Sequence, residues 1–218
     1  MGNGVRPSRT LNKRSSWGSL LCTRQETIPV SHALLQDIKF FELLLLMDQE
    51  LATQTRADGC PCGGILHQAN YPRKPRGCLD AVRPNYTSRF SFCCSACRKR
   101  STSTSVRFLG RRVYLGLAVV LMTARRAGPS STIMRLSQGL AIPIRTLQRW
   151  RLWWRDQFPQ TGFWQAACAR FMPSVEMPLL PASLLERFSG AADEPLLRLL
   201  VFLSPITVGH PVTLREGR

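Results

Sequence analysis

At 218 residues the chain is long enough for one ordinary domain or two small ones, and with 44% hydrophobic residues it can bury a core, which excludes a wholly disordered chain. Its formal net charge of +17 sits almost entirely in residues 71–155, which hold 18 Lys or Arg against the single acid Asp80; such segregation favours a polyanionic partner, nucleic acid or an anionic membrane surface. No segment reaches the roughly 18–20 apolar residues of a membrane span, since the runs Phe40 to Met47 and Val113 to Met122 are too short, so no membrane association is expected.

In chain order, residues 1–33 are rich in Arg, Ser, Gly and Thr, lack periodicity and read as a flexible, disordered leader. They contain no continuous apolar stretch before a small-residue cleavage site, so secretion is not expected. A cytoplasmic location follows, nucleoid-associated if the source is bacterial. In that reducing compartment the 8 cysteines read as metal ligands or free thiols rather than disulfides. From about Ser31 to Ala57 the apolar residues fall at helical spacing: Leu34, Leu35, Ile38, Phe41, Leu44, Leu45 and Leu51, with Asp48 on the same stripe. The spacing predicts an amphipathic helix, taken as residues 34–57.

Residues 58–108 form a Cys-, Gly- and Arg-rich region, with Tyr86 to Phe92 alternating as a short strand would. Here Cys60-Pro61-Cys62-Gly63-Gly64 precedes Cys94-Ser95-Ala96-Cys97. Two close cysteine pairs around a strand-bearing insert suit a zinc ribbon: each pair makes a tight knuckle, glycine permits the turn, and four thiolates complete a tetrahedron. The expected cofactor is one structural zinc held by Cys60, Cys62, Cys94 and Cys97. One residue rather than two separates Cys60 from Cys62, so Cys93, Cys78 or His67 could stand in for one ligand; unligated structural cysteines are the bland alternative. A catalytic zinc is disfavoured. Such sites need a base and usually His or carboxylate ligands, and the chain has only His32, His67 and His210.

Within this region Tyr71-Pro72-Arg73-Lys74-Pro75-Arg76-Gly77 is too proline-rich for a helix or a central strand, and it is expected to project as an extended arm toward phosphates or a minor groove. Arg98, Lys99 and Arg100 follow the second knuckle, and Arg107, Arg111 and Arg112 would continue the positive surface. Residues 109–160 read as helical. Arg111 to Arg126 is a buried helix ended by Gly128-Pro129. A short helix capped by Ser130 or Ser131 reaches about Gln138, Gly139 opens a turn, and a second helix runs from Pro143 or Ile144 to Phe158, stopped by Pro159. Its apolar stripe is Ile144, Leu147, Trp150, Trp154 and Phe158, leaving Arg145, Gln148 and Arg149 outside and Trp153 as the one tryptophan at a surface. That is the layout of a helix-turn-helix, in which Arg145 and Arg149 could reach bases or phosphates; a hairpin with a solvated basic face is the alternative. Residues 161–218 are proline-broken, allowing only short helices such as Ser183 to Phe188 and Pro195 to Leu203.

The expected fold class is therefore α+β, mostly α, with a small zinc-ribbon-like β region before a helix-turn-helix. Through Cys60, Cys62, Cys94, Cys97, Arg98-Lys99-Arg100 and Arg145-Thr146-Leu147-Gln148-Arg149-Trp150, residues 58–158 resemble the zinc-ribbon plus helix-turn-helix DNA-binding region of insertion-sequence transposases and related mobile-element proteins. The resemblance implies double-stranded DNA as partner, with a recombinase or transposase as a second. Such transposases also carry a carboxylate triad on an RNase H-like domain, and the roughly 60 residues after the helix pair are too few for one. A non-enzymatic accessory or regulatory DNA-binding module of a mobile element is thus expected. An RNA-binding zinc-ribbon protein and a zinc-dependent interaction scaffold are the competing readings.

Overall fold

The computed structural model describes residue 1 and residues 32–109, 115–124 and 131–208. Most of the 1–33 leader, Arg111, Arg112, Ser130, Gly128-Pro129 and His210 lie outside them. The fold is α+β and mostly helical, with a small antiparallel sheet.

Helix α1 spans Ile38–Asp58. The Asp37 carboxylate caps it by accepting from the backbone N–H of Lys39 and Phe40 at 2.9 and 3.3 Å, and Gly59 ends it at φ 73°. Phe41, Leu44 and Asp48 of the expected stripe are buried, with Phe40 and Ala52 beside them, whereas Ile38 is exposed and Leu45 and Leu51 are half-buried. Strands β1 (Leu66–Gln68), β2 (Tyr71–Pro72), β3 (Ser88–Arg89), β4 (Ser91–Cys94) and β5 (Arg100–Thr102) follow. One antiparallel sheet has the order β1-β4-β5, and β2 pairs with β3 beside it. The strand expected over Tyr86 to Phe92 is real only from Ser88. Tyr86 ends a 3-10 turn, Arg83–Tyr86, and points inward, its hydroxyl donating to the Phe41 carbonyl at 2.5 Å.

The helices continue with α2 (Gly116–Thr123), α3 (Ser131–Gly139), α4 (Ile144–Leu152), α5 (Gly162–Ala167), α6 (Ala182–Leu185) and α7 (Glu194–Leu203). Every residue of α2 is buried, which makes it the axis of the core. Gly77 lies against it: its φ is 76°, and a Cβ there would come within 3.0 Å of Ala118 and 3.1 Å of Ile142. The expected stripe packs inward through Leu147 and Trp150 on α4 and through Trp154 and Phe158 in the helical turns that follow it, with Ile144 half-buried. Trp153 is not a surface reader; its ring meets Trp154 edge-on at 4.7 Å and Phe158 at 5.5 Å. The turn between α3 and α4 is fixed by Ser137, whose hydroxyl donates to the Ile142 carbonyl while the Ile142 N–H donates to the Ser137 carbonyl. Its left-handed residue is Ala141, φ 51°, rather than Gly139.

The main core crosses the boundaries expected at 57, 108 and 160. It draws on Leu35, Phe40 and Phe41, on Cys78, Val82 and Tyr86, on Val106 and Phe108, on α2 to α4, and on Leu196, Leu199, Leu200 and Leu203. At its edge lies a buried charge cluster. Asp48 accepts from Ser105 Oγ at 2.5 Å, from the Val106 N–H at 2.7 Å and from Arg107 Nε at 2.7 Å. Arg89 Nη1 stands 3.8 Å from the same carboxylate, and Arg89 Nη2 donates to the Ser103 carbonyl and to Thr207 Oγ1. All three charged side chains are within 1% of full burial. Burial lowers the Arg89 pKa, and Asp48 opposes that shift. Arg107, expected on the positive surface, is thus a core residue: its guanidinium also lies about 5 Å from the rings of Tyr86, Phe90 and Phe108.

Candidate metal centre and basic surface

The two cysteine pairs come together at one end of the β1-β4-β5 sheet. In the first knuckle the Gly63 N–H donates to the Cys60 carbonyl at 2.8 Å, closing a turn that Gly63 completes at φ 78°. Gly64 is needed for a different reason. A Cβ there would lie 2.6 Å from Cys94 Sγ and 2.8 Å from Ala96 Cβ, so only glycine lets the first knuckle approach the second. In the second knuckle the Arg98 N–H returns to the Cys94 carbonyl at 3.2 Å, and Arg98 takes a left-handed φ of 59°. The Cys94 N–H donates to the Lys99 carbonyl and the Ser95 N–H to the Ile65 carbonyl, tying the knuckle to the sheet.

The four sulfurs of Cys60, Cys62, Cys94 and Cys97 lie within 4.8 Å of one another. Neighbouring pairs are 3.4 to 3.5 Å apart, too long for a disulfide. An ion about 2.3 Å from each of four tetrahedral thiolates would hold them roughly 3.8 Å apart, so the donor set fits one tetrahedral metal ion. The thiols are also unequal as acids. The Gly64 N–H, and after it the Cys60 side chain, pull Cys62 down to about 6. Cys60 rises to about 12: the Cys62 N–H lowers it, but the Cys62 side chain, burial and Cys97 outweigh that pull. Cys94 is lowered, first by the Cys97 N–H. Four sulfurs this close cannot all ionise without a cation among them.

The three candidate substitutes are elsewhere. Cys93 and His67 pair across β4 and β1 but point to the opposite face from Leu66 and Cys94, because strand side chains alternate. Cys93 Sγ donates to the Arg98 carbonyl at 3.6 Å, His67 is exposed, and Cys78 is buried in the main core, where desolvation raises its thiol pKa.

The basic residues divide. The 71–77 segment does not project as an arm. Tyr71–Pro72 is β2, Pro75 is buried, Gly77 abuts α2, and the Arg73 N–H donates to the Thr87 carbonyl at 2.6 Å. Arg73 lies half-buried with its guanidinium 5.0 Å from the Tyr71 ring, while Lys74 and Arg76 are exposed. Arg98, Lys99 and Arg100 are exposed on the second knuckle and β5; Arg100 donates to the Ala69 carbonyl at 2.7 Å and sits 5.8 Å from the same Tyr71 ring. Arg145, Gln148 and Arg149 are exposed on α4, and Arg149 Nη2 donates to Thr146 Oγ1 at 3.3 Å. What the sequence reading did not find is the fate of Arg89 and Arg107. The available signal was Asp48 standing alone on an apolar helix stripe, a carboxylate that needs a buried cation. Among the described residues no helix is long and apolar enough to cross a membrane. Comparison of the chain with protein-family models, with curated proteins and with solved structures finds no match.

Proposed function

We propose that the chain is a non-enzymatic nucleic-acid-binding module, with duplex DNA as its partner and a structural zinc ion on Cys60, Cys62, Cys94 and Cys97. One observation carries this reading. Lys74, Arg76, Arg98, Lys99, Arg145 and Arg149 are exposed in a stretch with a single acid, and none has an acidic partner among the described residues. Unneutralised cations at this density repel one another unless a polyanion covers them. Zinc is favoured for the ion because four closely spaced thiolates suit it.

Duplex DNA is preferred because Arg145 and Arg149 stand one turn apart on a helix anchored by Leu147, Trp150 and Trp154, a rigid platform for phosphates or base edges. The likeness of residues 58–158 to mobile-element DNA-binding regions supports an accessory or regulatory role beside a recombinase or transposase. A second reading, single-stranded RNA, draws on Tyr71 with Arg73 and Arg100 beside its ring, an aromatic and cationic surface on the ribbon.

Salt-dependent titration tests the proposal. If about six cations meet phosphates, the log–log slope of affinity for duplex DNA against salt is near about −5. Arg149→Ala is expected to cost about 1–3 kcal/mol on a selected duplex and less on a scrambled one. A flat salt dependence overturns nucleic-acid binding, and tighter binding of single-stranded RNA at equal salt moves the assignment to the second reading.

A further inference from the structure

One face of α4 carries a feature that the nucleic-acid reading leaves unused. A groove of about 520 Å³ runs between Gln148, Arg151 and Leu152 on α4, with Arg155 just beyond its end, and the chain at Leu179 and Leu180, closed on one side by the end of α2. Its size is that of a small-molecule site. Among the described residues no acidic side chain lines it.

The two arginines differ in what they already hold. Arg155 is engaged by its neighbour Asp156, through Nε at 2.6 Å and Nη2 at 2.9 Å. Among the described residues Arg151 has no hydrogen-bond or ion-pair partner, and its buried Nε meets no acceptor. A buried guanidinium N–H left without an acceptor is costly, and the planar fork of arginine is shaped for two oxygens of one oxyanion. Leu152, Leu179 and Leu180, with Met177 and Pro178 beside them, supply an apolar wall next to that fork. On α4 Arg151 faces the groove from the side away from Arg149, Gln148 and Leu152 lie between Arg151 and Arg145, and Arg155 follows in the turn after the helix. The groove therefore borders the proposed nucleic-acid face at Gln148 but has its own cation in Arg151.

We infer that this groove binds a small amphipathic oxyanion, a carboxylate or phosphate monoester on an apolar body, with Arg151 as its anion anchor. This does not depend on nucleic-acid binding. The test is calorimetric titration of the full chain, purified without chelator at low salt, with octanoate, octyl phosphate, octanol and inorganic phosphate. At least one octyl anion is expected to bind with one-to-one stoichiometry, at least about tenfold tighter than octanol or inorganic phosphate. The preferred headgroup then separates carboxylate from phosphate. Arg151→Met is expected to remove that preference. Gln148→Glu is the second variant, because Gln148 is exposed and a carboxylate one turn from Arg151 would occupy the anchor from within while the fold is kept; it should weaken the octyl anion by about tenfold. Inorganic phosphate binding as tightly as the octyl anions, octanol binding equally well, unchanged affinity in a folded Gln148→Glu, or no saturable binding at all would each overturn the assignment.

Discussion

The sheet around the four cysteines buries Ala52, Leu66, Phe92 and Cys94, with Cys60, Phe90 and Cys97 packed against them. The helical body buries a single cluster from Leu35 to Leu203 that includes Trp150, Trp154 and Phe158 at 2% exposure or less. At about 25 cal/mol per Å² of apolar surface, the larger cluster can hold its helices by burial alone, whereas the smaller one cannot hold three short strands. What positions those strands is backbone closure in the two knuckles and the sulfur cluster between them. Where apolar area runs out, the chain relies on glycine geometry and on close approach of four cysteine side chains.

Metal removal gives the largest expected effect. A structural ion of this class supplies about 10 kcal/mol of apparent folding free energy, so chelation should abolish amide protection in β1, β4 and β5 while α2 and α4 keep theirs. Hydrogen exchange read by mass spectrometry checks this. Simultaneous loss in α2 would mean that the two regions are one cooperative unit. Next comes Asp48→Ala, which leaves Arg89 and Arg107 buried without a counter-charge and should cost about 3–5 kcal/mol of global stability in denaturant titration. A cost below about 1 kcal/mol would show that water reaches the cluster. Gly64→Ala should cost roughly 1–3 kcal/mol, because its methyl group would enter the space of Cys94 Sγ; metal affinity is the sensitive readout and the melting of the helical body the insensitive one. The smallest effect is expected from Arg98→Gly. Relieving the left-handed φ of 59° should gain at most about 1 kcal/mol, and only in the metal-bound ribbon.

Much of this arrangement could be read before the structure. The Cys60/Cys62 and Cys94/Cys97 pairs were legible because local spacing already sets which sulfurs can meet, and the stripe Leu147, Trp150, Trp154, Phe158 because a helix repeats its faces. The 71–77 segment was misread because its prolines exclude regular structure but say nothing about packing; Pro75 is buried, and Gly77 finds its place against Ala118 of α2 and against Ile142, far along the chain. Arg107 was misread for a similar reason. Its partner, Asp48, lies 59 positions away, and a charge count treats every arginine as a surface charge. The groove beside Arg151 needs α4 and residues 177–180 in one place, and no periodicity encodes that.

The Asp48 cluster also has a bearing on how the protein is made. Thr207 accepts from Arg89 and from the Ser105 N–H, 118 and 102 positions earlier, and Leu200 packs against Gly116. During vectorial synthesis on a ribosome, Arg89, Ser105 and α2 therefore emerge well before the groups that complete their surroundings. Until residues 196–207 clear the exit tunnel, the nascent chain exposes an incomplete apolar surface and one cation, Arg89, whose burial is unfinished, the kind of surface that makes a folding intermediate prone to aggregate. The four-cysteine cluster is under no such constraint. All four of its sulfurs are out once Cys97 has emerged, so the two knuckles can close before residues 196–207 are made.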